Sequence, residues 1–392
     1  MARILVLSPS GEVYDHDNVR WYDHANLASH MDHYHNIGDA FVFDSSLKLL
    51  NFEKLDVLPI ANPDMAMIDR LNAEYDYVFL RGSNYVHSQM EWEQAVQVLR
   101  RLKIPVIAFG IGAQAPVSGK LELSEDTKTV LRLMADSTAS IGVRGVYSAE
   151  ILNEIGIKNV RIIGCPTAFR ANNPNLAIRL PALDTVRKVG VTLRREVSPT
   201  YAQDIQRYLT FHRDLVKSLA GRFDTTLMAQ GEIEEKKLAL GTAQQKEEAI
   251  AALRENGWAN EWYLDAEMEA LYRSRMFYSD VVAEYEQLVR RLDLVLGYRL
   301  HGNLMALANG TPSIYFTYDS RTVEFAETFK IPSFDVFSGK DFRLEEYWDQ
   351  SLFDRFNATY ARVYGAMRDF LVENKVDTKM VGPAVQPERK VA

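Results

Sequence analysis

Short runs of β-branched and aliphatic residues alternate with longer stretches of helical periodicity through most of this chain, and that rhythm restricts its fold more than any other feature. Ile4–Leu7, Asp56–Ile60, Tyr77–Leu80, Val106–Phe109, Ser140–Val143 and Val160–Ile163 are largely apolar runs of strand length. Runs of that kind suit parallel strands buried on both faces. Gly38–Leu50, Met90–Arg101, Asp126–Ala135 and Tyr147–Ile155 carry apolar residues at helical spacing. The pattern is β-α-β, and it predicts a doubly wound parallel sheet.

Ala171-Asn172-Asn173-Pro174-Asn175, followed by Pro181, reads as a linker, after which the rhythm begins again. Lys188–Leu193, Thr225–Ala229, Leu294–Gly297 and Ser313–Phe316 are the strands of this second series. The expected fold class is therefore α/β, with two Rossmann-like domains whose parallel sheets face a cleft. The boundaries read are 1–180 for the first domain and 181–345 for the second, with residues 346–392 as a C-terminal helix and tail. Glu232 to Arg275, rich in Glu, Lys, Ala and Gln, reads as an inserted group of helices. Leu352–Val372 has the pattern of a long amphipathic helix, and the tail from Val381 onward is expected to be mobile. A chain of 392 residues fits two domains, since single cores stop growing at about 250–300 residues. Two such sheets place a ligand where their carboxyl edges share one crevice.

A net charge of -8 argues against a general nucleic-acid binder, though a few arginines converging in a cleft hardly alter that total. The single cysteine, Cys165, allows no intramolecular disulfide and suits a reducing, cytoplasmic setting. The N-terminal apolar run ends at Ser8-Pro9-Ser10-Gly11, too short for a signal peptide. No stretch reaches the ~20 apolar residues of a membrane span, so any membrane contact is expected to be peripheral, at the inner face.

The segment richest in chemistry runs from Asp293 to Pro312. An apolar strand ends at Gly297, and a helical pattern runs from about Gly302 to Ala308. Arg299 and His301 thus fall at a strand-to-helix turn, where free amides, a guanidinium and an imidazole suit a phosphate or carboxylate. The alternative is that Arg299 pairs with a structural carboxylate and His301 caps the helix.

Gly297-Tyr298-Arg299-Leu300-His301, Ala306, Gly310-Thr311-Pro312, Tyr318-Asp319-Ser320-Arg321 and Phe325 resemble the C-terminal signature of polysaccharide pyruvyl transferases. Asn36-Ile37-Gly38-Asp39, Ile104 to Gly112, Ile141-Gly142-Val143-Arg144 with Ser148, and Gly190 to Arg194 are similar to further stretches of that family. Together they cover about residues 36–330. Arg321 stands where the family often has Lys, and Arg81-Gly82-Ser83-Asn84 where it has a Gly-rich turn.

The resemblance implies a glycosyltransferase-B-like architecture and transfer of pyruvate from phosphoenolpyruvate to a saccharide, as a ketal. It implies Arg194, Arg299, Leu300, His301 and Arg321 on the donor side, and Asn36, Asp39, Arg81 and Asn84 on the acceptor side. His301 and Arg299 are the implied catalytic pair, and Asp319, with Glu324 one of the carboxylates nearest the signature, is expected to join them by orienting or assisting. Asp319 and Glu324 can equally serve as residues of a helix N-terminus. The resemblance calls for no metal or organic cofactor, phosphoenolpyruvate being a co-substrate. The saccharide acceptor in such pathways is often lipid-linked or nucleotide-linked, and the setting is polysaccharide or cell-surface glycan biosynthesis, such as exopolysaccharide.

Five histidines, His16, His24, His30, His33 and His35, lie near Asp23, Asp32 and Asp39, but their spacing fits no zinc motif. A polar loop lining the cleft is the expectation there. Gly110-Ile111-Gly112-Ala113-Gln114 lacks the full dinucleotide fingerprint and follows a middle strand, which argues against NAD. Trp258, Trp262 and Tyr263 either stack on a sugar or dock the insert on the body. Two rivals stand beside the transferase reading. One is a nucleotide-sugar glycosyltransferase of the same architecture, with Glu261 and Glu269 as its spaced carboxylates. The other is a non-catalytic binding protein.

Overall fold

A computed structural model of the chain describes residues 1–8, 12–15, 18–21, 31–32, 34, 36–59, 64–88, 90–115, 121–194, 202–255 and 262–382. The first half contains β1 (Ala2–Ser8), β2 (Glu12–Asp15), β3 (Asn18–Trp21), α1 (Ile37–Lys48), β4 (Phe52–Pro59), α2 (Met65–Glu74) and β5 (Tyr77–Leu80). It continues with α3 (Glu93–Arg101), β6 (Val106–Ala108), α4 (Glu125–Ser137), β7 (Ile141–Val143), α5 (Val146–Glu154) and β8 (Val160–Ile162). β4, β1, β5 and β6 form a parallel sheet in that order. The parallel pair β7–β8 extends it, because Ile111, just past β6, bridges Val143.

The second half contains β9 (Lys188–Thr192), α6 (Ile205–Arg222), β10 (Asp224–Met228), α7 (Ile233–Leu240), α8 (Ala243–Glu255), α9 (Ala266–Arg275) and β11 (Met276–Phe277). α10 (Val282–Val289), β12 (Leu294–Gly297), α11 (Leu300–Ala308), β13 (Ser313–Thr317), α12 (Ser320–Phe329) and β14 (Ser333–Asp335) complete it. Its six strands are parallel in the order β11-β10-β9-β12-β13-β14, the doubly wound arrangement of a dinucleotide-binding half repeated on both sides of β9. The expected architecture of two Rossmann-like domains facing a cleft is therefore present. α13 (Leu344–Tyr347) and α14 (Gln350–Glu373) follow.

The differences from expectation sit at edges and in short elements. β11 and β14 hold too few residues to stand out as runs, and α2 was not foreseen. β2 and β3 pair as an antiparallel ribbon inside the stretch expected to be a polar loop. β8 is partly exposed rather than buried, because it is the outer strand of its sheet. The expected insert of helices is present as α7, α8 and α9. Val381 and Gly382 are described, whereas the tail from 383 onward lies outside the described residues, as do the five N-terminal histidines. Among the described residues no helix is long and apolar enough to cross a membrane.

α14 belongs to the second half in sequence but packs on the first. Phe370 meets Phe109 edge-on at 5.9 Å, Glu373 pairs with Arg161, and Asn374 accepts the Ala139 amide at 2.9 Å. Beyond it, Thr378 bridges Leu50 beside α1. One apolar core consequently runs through both halves, and a second lies on the other face of the first sheet.

α1 is the element that joins the domains. Nearly every residue from Ile37 to Leu47 is buried, the polar Asp44, Ser45 and Ser46 included, and it packs on α11 and α10 of the second domain. Its two C-terminal charges are held by an ion cluster. Arg170, fully buried, reaches Asp44 at 2.9 Å and Glu286 of α10 at 2.7 Å, while Lys48 reaches Glu286 at 3.3 Å. Burial alone would raise the Glu286 carboxyl pKa. Hydrogen bonding and charge from Arg170, with Lys48 and Arg290, instead draw it down to about 2.

Removing Arg170 leaves two carboxylates buried without their main partner, and breaking such a pair costs roughly 3–5 kcal/mol. Arg170→Met is expected to lower the urea midpoint by a corresponding amount. Because the Glu286 pKa is depressed on folding, its contribution is complete above the ordinary carboxylate range. It is lost as pH falls from there toward about 2. The wild type should show this acid-side loss and Arg170→Met should not; equal profiles would contradict the assignment.

Candidate active site

Each sheet reverses its winding at one point, and the two points face each other. In the first domain the switch lies between β1 and β5, in the second between β9 and β12. The candidate residues stand at these carboxyl edges: Asn36 and Asp39 open α1, Arg81 and Asn84 follow β5, Arg194 follows β9, and Arg299 and His301 follow β12. Between the edges lies a cavity of about 90 Å³. Its walls include Asn36, Asp39, Asn84, Arg194, Arg299, Leu300, His301 and Arg321, so eight candidates from distant parts of the chain share one space.

The turn after β12 explains how Arg299 and His301 are aimed. Gly297 has φ +136°, and a Cβ there would lie 2.5 Å from the Thr192 carbonyl oxygen. Only glycine lets the strand leave the sheet so close to β9. Tyr298 then donates its amide to the Thr192 carbonyl at 3.0 Å and Arg299 donates its amide to Thr192 Oγ1 at 3.1 Å. Asn303 Nδ2 closes the turn on the Gly297 carbonyl at 3.0 Å. Arg299 is the residue before α11, and His301 lies in its first turn, because the helix begins two residues earlier than the sequence pattern suggests.

The positive charges are held individually. Arg299 Nε donates to the Leu193 carbonyl at 2.8 Å and its Nη2 pairs with Glu232. The carboxylate alternative considered for Arg299 is thus real, yet the residue also lines the cavity. Arg321 pairs with Asp319 at 2.7 Å. Arg81, almost wholly buried, stands behind the cavity wall, 3.4 Å from Asp39.

Asp319 does not line the cavity. Its side chain is 1% exposed, caps α12 through the Thr322 amide at 2.9 Å, and holds Arg321. Glu324 also serves a helix end. It accepts the Ser148 amide at 2.7 Å and the Ser148 hydroxyl at 3.0 Å, so it caps α5 of the opposite domain.

Several wall residues have no assigned role in the sequence pattern. Arg144, which ends the Ile141-Gly142-Val143-Arg144 motif, lines the cavity. Its guanidinium donates to the Gly110 carbonyl at 3.1 Å and to Asn84 Oδ1, and lies 5.0 Å from the Phe325 ring. Burial lowers its pKa, since the surrounding oxygens that it bonds are neutral. An arginine two residues past the glycine of a buried strand was the available signal. Tyr298 and Tyr318 of the signature also line the space, as do Gln230, just past β10, and Tyr315, which have no sequence signal beyond their place at a sheet edge.

His301 is the centre of this arrangement. Its Nε2 is buried and has no hydrogen-bond partner among the described residues. Burial, then the charges of Arg144, Arg81, Arg321 and Arg299, press its pKa well below the usual imidazole value. In the free protein it is therefore a neutral imidazole ringed by guanidinium groups.

Other candidates separate from the site. Trp262 carries the Arg213 guanidinium 5.5 Å from its ring, and the Tyr263 hydroxyl bonds His212 Nδ1 at 2.9 Å, so both dock the insert on the second domain. Trp258 and Glu261 lie outside the described residues, and Glu269 is bound to Arg273 and Arg254. Cys165 is buried, and burial raises its thiol pKa.

The sequence profile of the family described as polysaccharide pyruvyl transferase matches residues 36–320. A comparison with curated proteins returned no match. Among solved structures the chain is similar to Anabaena HepE in complex with UDP, at 14% identity over 95% of this chain and 97% of that one, with a TM-score of 0.45. It is similar to S. aureus MnaA in a UDP co-structure, at 10% identity over 98% and 99%, with a TM-score of 0.46. A third similarity is to a putative UDP-N-acetylglucosamine 2-epimerase from Listeria monocytogenes, at 11% identity over 98% and 100%, with a TM-score of 0.45.

A dianion entering the cavity offsets the charges that depress His301, so binding should draw a proton onto it. Sulfate tests this cleanly, because it has no proton of its own to exchange near neutral pH. Calorimetry at pH 6.5 in two buffers of different ionisation enthalpy should show net proton uptake by the wild type and none by His301→Gln. Equal uptake by both would contradict the placement of the charge.

Proposed function

Since the chain belongs to the polysaccharide pyruvyl transferase family, we propose that it moves pyruvate from phosphoenolpyruvate to a hydroxyl pair of a saccharide, forming a cyclic ketal. The observation that carries this reading is the cationic cavity around a neutral His301, in a protein whose net charge is -8. Phosphoenolpyruvate is small, with a phosphate and a carboxylate close together, and several fixed cations suit its charge. They also favour departure of phosphate in the transition state.

The chemistry divides between the domains. Arg194, Arg321 and Arg144 surround the phosphoryl group, and Arg299, held by Glu232, adds fixed charge beside the first turn of α11. Leu300 lies in that turn. Asp319 acts on the ligand through Arg321, as a positioning residue. Asn36, Asp39 and Asn84 face the saccharide, with Arg81 orienting Asp39.

The methylene carbon of the donor gains a proton, and one saccharide oxygen attacks the neighbouring carbon. The bond from that carbon to the phosphate oxygen then breaks, and the second saccharide oxygen closes the ketal. Of the two hydroxyl protons, one ends on the new methyl group and the other on phosphate. A neutral His301 has a free nitrogen to accept the first hydroxyl proton, and donor charge raises its basicity at that moment. The reaction asks for no metal or organic cofactor. An acceptor carried on a lipid would bring the enzyme to a membrane surface, whereas a nucleotide-linked acceptor would not.

Phosphate release from phosphoenolpyruvate with a panel of saccharide acceptors tests the reading. His301→Gln is expected to lower kcat by about 10²–10⁴ with little change in donor KM. Arg321→Ala is expected to raise donor KM. Acceptor-independent rates, or firm binding of a nucleoside diphosphate with no phosphoenolpyruvate turnover, would overturn it.

A further inference from the structure

Gln230 sits at the meeting point of the two domains. Its carbonyl accepts the Ile37 amide, the first of α1, at 2.9 Å. Its side chain lies between the first turns of two helices, each of which carries a glycine there. A Cβ on Gly302 of α11 would come within 2.5 Å of Gln230 Nε2, and one on Gly38 of α1 within 3.1 Å of its Oε1. The residue is 2% exposed, lines the cavity, and its Nε2 has no hydrogen-bond partner among the described residues. An amide donor buried without a partner is costly, and such a group in a cavity wall asks for a ligand oxygen.

Building on the donor reading above, we propose that Gln230 is a substrate-binding residue that holds the carboxylate of the donor at the cavity floor. The division follows from charge and access. The phosphoryl group carries more charge and must leave as phosphate, which suits arginines; Arg321 and Arg194 are more exposed than Gln230. The carboxylate stays with the product and carries one charge. A neutral carboxamide beside the helix N-termini of α1 and α11 matches it without adding to the crowding of cations.

Gln230→Glu keeps the shape and replaces the donor nitrogen with an oxygen, while Gln230→Met keeps the length and removes the donor. Binding of phosphoenolpyruvate, of vinyl phosphate, which lacks the carboxylate, and of inorganic phosphate would be measured by calorimetry, with melting temperatures as a control on folding. Phosphoenolpyruvate should bind about ten- to a hundredfold more weakly to both variants. Vinyl phosphate should be unaffected by Gln230→Met, so that the loss tracks the carboxylate. If Gln230→Met does not fold, Gln230→Glu decides, through the ratio of its losses for the two phosphate esters.

Equal losses for both esters, or a lowered melting temperature with unchanged phosphoenolpyruvate affinity, would assign Gln230 a purely structural role and overturn the proposal. Wild-type protein that binds phosphoenolpyruvate no better than inorganic phosphate would instead overturn the donor reading on which it rests.

Discussion

Five guanidinium groups gathered around one cavity repel each other, and much of the surrounding structure is an answer to that repulsion. Arg81, Arg299 and Arg321 each have a carboxylate partner, in Asp39, Glu232 and Asp319. Arg144 is held by neutral oxygens, with a pKa lowered by burial, and His301 stays uncharged. The first turns of α1 and α11 face the same space with their positive ends. A site built this way is pre-organised for an anion, because the cost of assembling the cations is met by the fold before the ligand arrives.

The cavity has two halves, so its geometry depends on how the domains are joined. α1 is buried between them, and the Arg170 cluster ties its C-terminal end to α10. At its N-terminal end Gln230 accepts the first amide of α1 from across the interface. Glu324 caps α5 from the second domain, and α14 crosses back to the first sheet. Contacts near the site and far from it act on the same alignment.

The sequence carried the architecture because buried parallel strands are apolar along their whole length, as in Leu294–Gly297 and Tyr77–Leu80. It did not carry β11 or β14, whose two and three residues pair only because longer neighbours offer an edge. In the site, Arg299 and His301 were legible from a strand ending in glycine just before a helix. For Asp319 the sequence leaves a catalytic carboxylate and a helix N-terminus equally open, and only the Thr322 amide in place shows that it caps α12. Gln230 and Arg144 were missed because their significance lies across the domain interface, in partners that are 193 and 157 residues away in the chain for Ile37 and His301. No local pattern reports such a meeting.

The most direct test is the fate of the donor carbon. Phosphoenolpyruvate labelled with ¹³C at its central carbon would be incubated with the protein and a panel of saccharide acceptors, and the products followed by carbon NMR. The label should move into a quaternary ketal carbon bonded to two saccharide oxygens, with release of one phosphate per ketal. Label appearing only in free pyruvate, or remaining in phosphoenolpyruvate with every acceptor, would contradict it.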